Sequence, residues 1–205
     1  MAVYETATRL FILCRHAESA ANASGVIDSD PVGGVALTRR GEAQAHALGV
    51  QFAGLQVSLA VASRFRRTTE TARLALKGRA VPLVTEAAFD EIAAGALNGA
   101  SIEDYWSWRE NHDESERPPG GESLDEVRRR HATGLRRLLA RDEAVTLVVL
   151  HEIGLHQIAR ASAAGSSLEI GAFAPAVPYL FDEGAIGRAA EALEAGAAEP
   201  DGVLL

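Results

Sequence analysis

Apolar positions fall along this chain in two rhythms. Short continuous runs occur at 10–14, 57–63, 81–85, 145–150 and 177–181. Runs of this length bounded by polar residues read as buried strands. The run Val145-Thr146-Leu147-Val148-Val149-Leu150 is continuous and β-branched, as a central parallel strand requires. Between the runs, apolar residues recur at helical spacing. Thr38 is placed to cap a helix running to about residue 54, with Ala45, Leu48, Gly49 and Phe52 on one face. Further helices are predicted to open at 63–72, over 101–112, from the capping box Ser123-Leu124-Asp125-Glu126 to about residue 140, after His151, and over 186–194. Residues 22–37 and the Pro-Gly cluster at 117–123 are loops. Strand and helix alternate, which predicts an α/β fold with a mainly parallel sheet.

Composition narrows what such a fold is used for. The 205 residues suit one domain over 1–205, and no linker, repeat or low-complexity tract divides them. A net charge of −8 argues against nucleic acid or an anionic membrane as partner, while leaving room for a small anion in a locally basic pocket. Cys14 is the single cysteine, so no disulfide can form within the chain, which fits a reducing compartment. The segment before Arg9 has no basic patch, and the apolar run after it is too short for a secretion signal. A cytoplasmic protein is expected. Oligomeric state stays open, a homodimer among the options.

Chemistry collects where the strands end. The first run stops at Arg15-His16, the second comes just before Arg67, the third before Glu91, and the fourth stops at His151. In open α/β sheets ligands gather outside the carboxyl ends of the strands. Guanidinium forks beside imidazoles suit a phosphate group particularly well. Arg67, in the first turn of a helix, adds its fork to free backbone N–H groups. The alternatives are a strand end with a solvated arginine and a half-buried histidine, and, at 64–67, three arginines on a solvated helix face.

The string Arg15-His16-Ala17-Glu18-Ser19-Ala20-Ala21-Asn22 resembles the R-H-G-E-S/T-x-x-N signature of the histidine phosphatase superfamily, the phosphoglycerate-mutase-like enzymes. The likeness continues at Leu37-Thr38 through Gln44-Ala45, at Ser63 through Ala72, at Phe89 through Gly99, in Pro119-Gly120-Gly121-Glu122-Ser123, and at His151. The resemblance implies a three-layer sandwich, a mainly parallel central sheet flanked by helices, with a lid-like insertion around 98–122. It also implies a metal-independent phosphomonoesterase of the histidine acid phosphatase kind, acting on a small phosphorylated metabolite without a cofactor. In that scheme His16 takes the phosphoryl group and Glu91 is the proton donor. Arg15, Asn22, Arg67 and His151 hold the phosphate. Asp90 and Glu91 would otherwise read as ordinary loop carboxylates. No H-x-x-x-H or cysteine cluster suggests a metal. His46, His112, His131 and His156 lie outside the motifs.

Two other functions compete. Mutase-type phosphotransfer is one, demoted because the R-x-Y-G-x-L-x-G-L-N-K string around the acid is absent. A catalytically impaired phosphate-binding relative is the other. It is motivated by departures from the pattern: Ala17 for glycine, Arg64 for proline, Leu150 for a small residue and, most seriously, Glu152 for glycine. A carboxylate about 4 Å from a phosphate is repelled by roughly 4 kcal/mol at an effective dielectric of 20, unless it pairs with Arg64 or another arginine. The aromatic segment Tyr105-Trp106-Ser107-Trp108 either lines the entrance or packs down on the domain.

Overall fold

A computed structural model describes residues 9–163 and 172–196. The segment before Arg9, read above as free of a targeting signal, lies outside the described residues, as does the chain after 196. β1 (Leu10–Arg15), β2 (Leu59–Ala62), β3 (Leu83–Thr85), β4 (Val145–Leu150) and β5 (Tyr179–Asp182) form one five-stranded sheet in the order β3-β2-β4-β1-β5. β1, β2, β3 and β4 are mutually parallel, and β5 is an antiparallel edge strand.

Successive side chains on a strand point to opposite faces, and here each face meets its own helical layer. On one side Phe11 and Leu13 of β1, Leu59 and Val61 of β2, and Val148 and Leu150 of β4 form one apolar core. It is closed by α5 (Leu124–Leu139), α6 (Glu152–Ser162) and α7 (Glu183–Glu194). On the other side Ile12 and Cys14, Ala60 and Ala62, and Leu147 and Val149 pack with α2 (Arg39–Gln51) and α3 (Arg66–Ala75). This is the expected three-layer sandwich. Burial on both faces explains why β1 and β4 read as unbroken apolar runs rather than alternating ones. Cys14 lies fully buried, and burial pushes its thiol pKa up, so it packs as a small apolar residue.

The caps fall where the sequence places them. Thr38 accepts from the Gly41 amide, and Ser123 and Glu126 close a reciprocal capping box. α2 stops three residues early, at Gln51, and the second and third strands are shorter than their apolar runs. The last strand lies at 179–182 rather than 177–181, and Asp182 at its end caps α7. Gly41 is required for closeness, since a Cβ there would sit 2.0 Å from the Glu18 carbonyl oxygen. That contact presses α2 against the turn following β1. Among the described residues no helix is long and apolar enough to cross a membrane.

Candidate active site

The four parallel strands bring their carboxyl ends to one edge of the sheet, and the loops leaving them build a single cleft. Arg15 closes β1, and the His16 amide still donates to the Leu150 carbonyl at 2.9 Å, extending the β1–β4 pairing by one residue. The His16 side chain is 2 % exposed. Its Nδ1 lies 2.7 Å from the Ala17 carbonyl oxygen, an acceptor only. Assigned from this partner, the ring hydrogen is on Nδ1, and Nε2 presents a lone pair to the cleft. Ala17 is buried and, absent from the residues with positive φ, fits without strain where the motif has glycine. Its amide donates to Thr71 Oγ1 at 3.0 Å, which fastens this turn to α3.

Arg67 comes from the first turn of α3 and is 4 % exposed. Its Nε donates to His16 Nε2 at 3.1 Å, and Nη2 reaches His151 Nδ1 at 3.4 Å. Its guanidinium also lies over the Phe65 ring. The two imidazole centroids are 5.2 Å apart. His151, at the end of β4, has Nε2 2.8 Å from Ser63 Oγ, which contacts Thr68 Oγ1 at 2.9 Å. Thr68 Oγ1 in turn donates to the Phe65 carbonyl at 2.7 Å. This relay of hydroxyls places the His151 hydrogen on Nε2, and leaves Nδ1 toward Arg67 and Glu91.

Glu91 sits between two single-turn 3-10 helices, Ala87–Phe89 and Gly95–Leu97, with Oε2 3.5 Å from His151 Nδ1. Its other oxygen accepts from the Ile92 amide at 3.0 Å. Arg130 on α5 holds this loop from behind. It donates to the carbonyls of Ala88 and Asp90 at 3.1 and 2.8 Å and clasps both carboxylate oxygens of Glu122. Glu122 accepts from the Ala93 amide at 3.0 Å. Asp90 points away and pairs with Arg64.

Burial dominates the electrostatics. It holds His16 and His151 well below the ordinary histidine pKa, with Arg67 adding to the depression in both, so both rings are neutral. Burial raises the pKa of Glu91, against the pull of Arg67. Although a fifth of the Glu91 side chain stays exposed, its carboxyl faces the enclosed floor and holds its proton to higher pH than a surface glutamate. Arg67 is pulled down by burial and held up by Glu91 and Asp28.

Arg15, His16, Asn22, Arg67 and Glu91 line one open cleft. His151 lies buried beneath this lining, against His16, Arg67 and Glu91. Asn22 Oδ1 accepts from the Ser19 amide and hydroxyl at 3.0 Å each, which leaves the Asn22 amide nitrogen as the donor. These residues belong to a capping box on the five-residue helix α1 (Ala20–Ser24), which sequence periodicity was too short to reveal. Glu152 pairs with Arg15 at 2.7 Å and not with Arg64. The aromatic segment does both things expected of it: on α4 (Ile102–Glu110), Tyr105 is buried while Trp106 also lines the cleft.

Sequence reasoning missed three contributors. Asp28, in the 22–37 loop, binds Arg67 twice, through Oδ2 at 2.6 Å and its carbonyl at 2.9 Å. Nothing in the loop's composition marks it. Ser63 was visible as the polar residue ending the second apolar run. Arg130 was one of three consecutive arginines on an amphipathic helix, and only its contacts with the Glu91 loop and Glu122 distinguish it. Among the described residues no group of three or more His, Cys, Asp or Glu side chains is arranged to hold a metal.

Known structures share this architecture. A protein of Escherichia coli K-12 proposed to be an alpha-ribazole-5'-P phosphatase is 25% identical with a TM-score of 0.71, over 85% of this chain and 90% of that one. TTHB049 from Thermus thermophilus is 28% identical with a TM-score of 0.63, over 83% and 92% respectively. A mycobacterial glucosyl-3-phosphoglycerate phosphatase shares the fold, at 22% identity and a TM-score of 0.67 over 84% and 89%. No curated protein matches the chain. The family model for branch 1 of the histidine phosphatases matches residues 11–172, the span that holds every residue of the cleft described above. The chain therefore belongs to the histidine phosphatase superfamily, branch 1.

Proposed function

We propose that the protein hydrolyses the phosphomonoester of a small metabolite, passing the phosphoryl group through His16. The observation that carries this reading is the His16 ring. Its Nδ1–H is anchored on the Ala17 carbonyl, which turns Nε2 toward Arg67, whose Nε–H donates to that nitrogen's lone pair at 3.1 Å and can be taken over by a phosphate oxygen.

The steps follow from the groups. A phosphate entering the cleft takes over the Arg67 Nε–H from His16 Nε2 and gains donors from Arg15 and Asn22. His16 Nε2 then attacks phosphorus while the bond to the ester oxygen breaks. Glu91, whose pKa burial raises, gives its proton in its acid form to the leaving alkoxide. Charge on the transferring group is spread over Arg15 and Arg67, the electrostatic stabilisation in which most of the catalysis of phosphoryl transfer resides, while neutral His151, its hydrogen turned to Ser63, meets Arg67 and Glu91 through Nδ1. In the second half, the Glu91 carboxylate draws a proton from water, and the oxygen displaces His16 from phosphorus. Glu91 and His16 are thereby restored.

A second reading, phosphate binding without turnover, is favoured by the carboxylates of Asp28 and Glu152 on the two arginines. Turnover of p-nitrophenyl phosphate in EDTA separates them. The enzyme reading expects activity that survives EDTA, disappears in His16→Ala, and leaves an acid-labile phosphate on His16 in quenched reactions. Binding of inorganic phosphate without turnover of any ester would establish the second reading.

A further inference from the structure

The charge inventory of the cleft is unusual for a site that receives a dianion. Its lining contains two cations, Arg15 and Arg67, and two carboxylates, Asp28 and Glu152, beside the carboxyl group of Glu91. Each guanidinium already has a carboxylate partner, Glu152 at 2.7 Å and Asp28 at 2.6 Å. Glu152 keeps 32% of its side chain exposed at the first turn of α6, beside the apolar Ile153. Beyond the arginines the wall is largely aliphatic and aromatic: Val26, Ile27, Ile102, Trp106 and Ile153.

These observations bear on the half of the substrate that is not phosphate. A phosphoryl group meets Arg15 and Arg67, whose Coulombic reach is shared with two carboxylates. A second anionic group on the same molecule would meet no further lysine or arginine among the described lining residues. It would have to lose water against isoleucine and tryptophan, and an unpaired carboxylate tolerates that poorly. An uncharged apolar group buries its surface there instead.

We propose that this cleft selects phosphomonoesters whose alcohol half is uncharged and apolar, and that Glu152 and Asp28 are specificity-determining residues that reject a second anionic group. The proposal rests on the phosphatase reading for its kinetic test, and on the cleft alone for its binding test.

The decisive pair of substrates is glycerol 3-phosphate and 3-phosphoglycerate, nearly equal in size and both primary alkyl esters. They differ in a neutral terminus against a carboxylate. Phenethyl phosphate adds an apolar alcohol with a similar leaving group. The expected order of kcat/KM is phenethyl phosphate, then glycerol 3-phosphate, then 3-phosphoglycerate, with the last at least tenfold below the second. Glu152→Gln and Asp28→Asn each remove a charge with little change of shape. Each should narrow the gap between glycerol 3-phosphate and 3-phosphoglycerate several-fold, whatever it does to the absolute rates. Equal use of that pair by the wild type, preference for 3-phosphoglycerate, or a gap unchanged in both variants overturns the proposal. If none of the esters is turned over, the phosphatase reading fails. Calorimetric titration of the same three compounds into the wild type then ranks them by affinity, in the same order if the selectivity is as argued and in another if it is not.

Discussion

Replacing Arg130 by methionine tests whether the glutamate loop is held in place from outside the cleft. Methionine keeps the apolar stem and removes every donor. The change strips the partner from the Ala88 and Asp90 carbonyls and from both oxygens of Glu122. Hydrogen bonds to a charged group contribute roughly 1.5–3 kcal/mol each, and breaking a fully buried ion pair costs about 3–5 kcal/mol. Arg130 and Glu122 retain 19% and 27% side-chain exposure, so water recovers part of this. A loss of about 2–4 kcal/mol is expected, equivalent to a fall in Tm of about 5–15 °C for a domain of this size. Thermal and urea unfolding measure it. A purely structural role would stop there. A positioning role for Glu91 predicts more. Turnover of alkyl phosphates, whose leaving groups need a proton, should fall at least tenfold further than turnover of p-nitrophenyl phosphate, both measured well below the new Tm. Arg130→Lys, which keeps the charge but not the fork, should lie between the two. Unchanged stability would refute the energetic argument. Equal losses on alkyl and aryl esters would refute the positioning of Glu91.

Two further outcomes follow from the same electrostatics. Glu91→Gln should lower kcat on alkyl phosphates by roughly 10²–10⁴ and leave p-nitrophenyl phosphate much less affected. The wild type should lose alkyl phosphatase activity as pH rises through the elevated Glu91 pKa, a limb that the variant lacks, and pH–rate profiles on both esters check it. Stability should fall in acid for a different reason. Burial pushes the His131 pKa down to about 3, so the folded state refuses a proton that the unfolded chain accepts near pH 6.5. The contribution is intact above pH 6.5 and declines below it by about 1.4 kcal/mol per pH unit, reaching about 2–3 kcal/mol at pH 4.5. His16 and His151 act in the same direction, while Glu91, with its raised pKa, opposes them. Urea unfolding at pH 7.5 and 4.5 should show His131→Asn losing that share of the pH dependence. An unchanged pH dependence would mean that His131 accepts its proton while folded.

What could be read from the sequence depended on how far each signal was local. Buried parallel strands announce themselves because both faces must be apolar, and β1 and β4 were legible to within a residue. Their ends put Arg15, His16 and His151 at the sheet edge with no further information. Thr38 and Ser123 were legible because a cap is a bond between residues three apart. Glu91 needed the resemblance to a known family. A carboxylate in a loop looks the same whether it faces water or a buried imidazole, and the difference is made by Arg130, 39 residues away, and by Glu122. Asp28 was illegible for a related reason.

The pairing of Glu152 shows most plainly where local reading runs out. From the sequence, a carboxylate beside the second histidine is either a charge set against the phosphate or the partner of Arg64 or another arginine. In the folded chain the side chain leaves α6 from its first turn and meets Arg15 across the β1–β4 pairing, whose register places Arg15 opposite Leu150, two residues before Glu152. The repulsion is therefore not between Glu152 and the phosphate alone. It is a competition between two anions for one guanidinium, and Asp28 sets up the same competition at Arg67. Arginine has five N–H donors in a planar fork. Arg15 Nε is buried with no hydrogen-bond partner among the described residues, so pairing with Glu152 does not use every donor of the fork. On the proposed reading phosphate binding would be attenuated rather than abolished, and the attenuation would bear hardest on any ligand that brings more negative charge than the phosphoryl group itself.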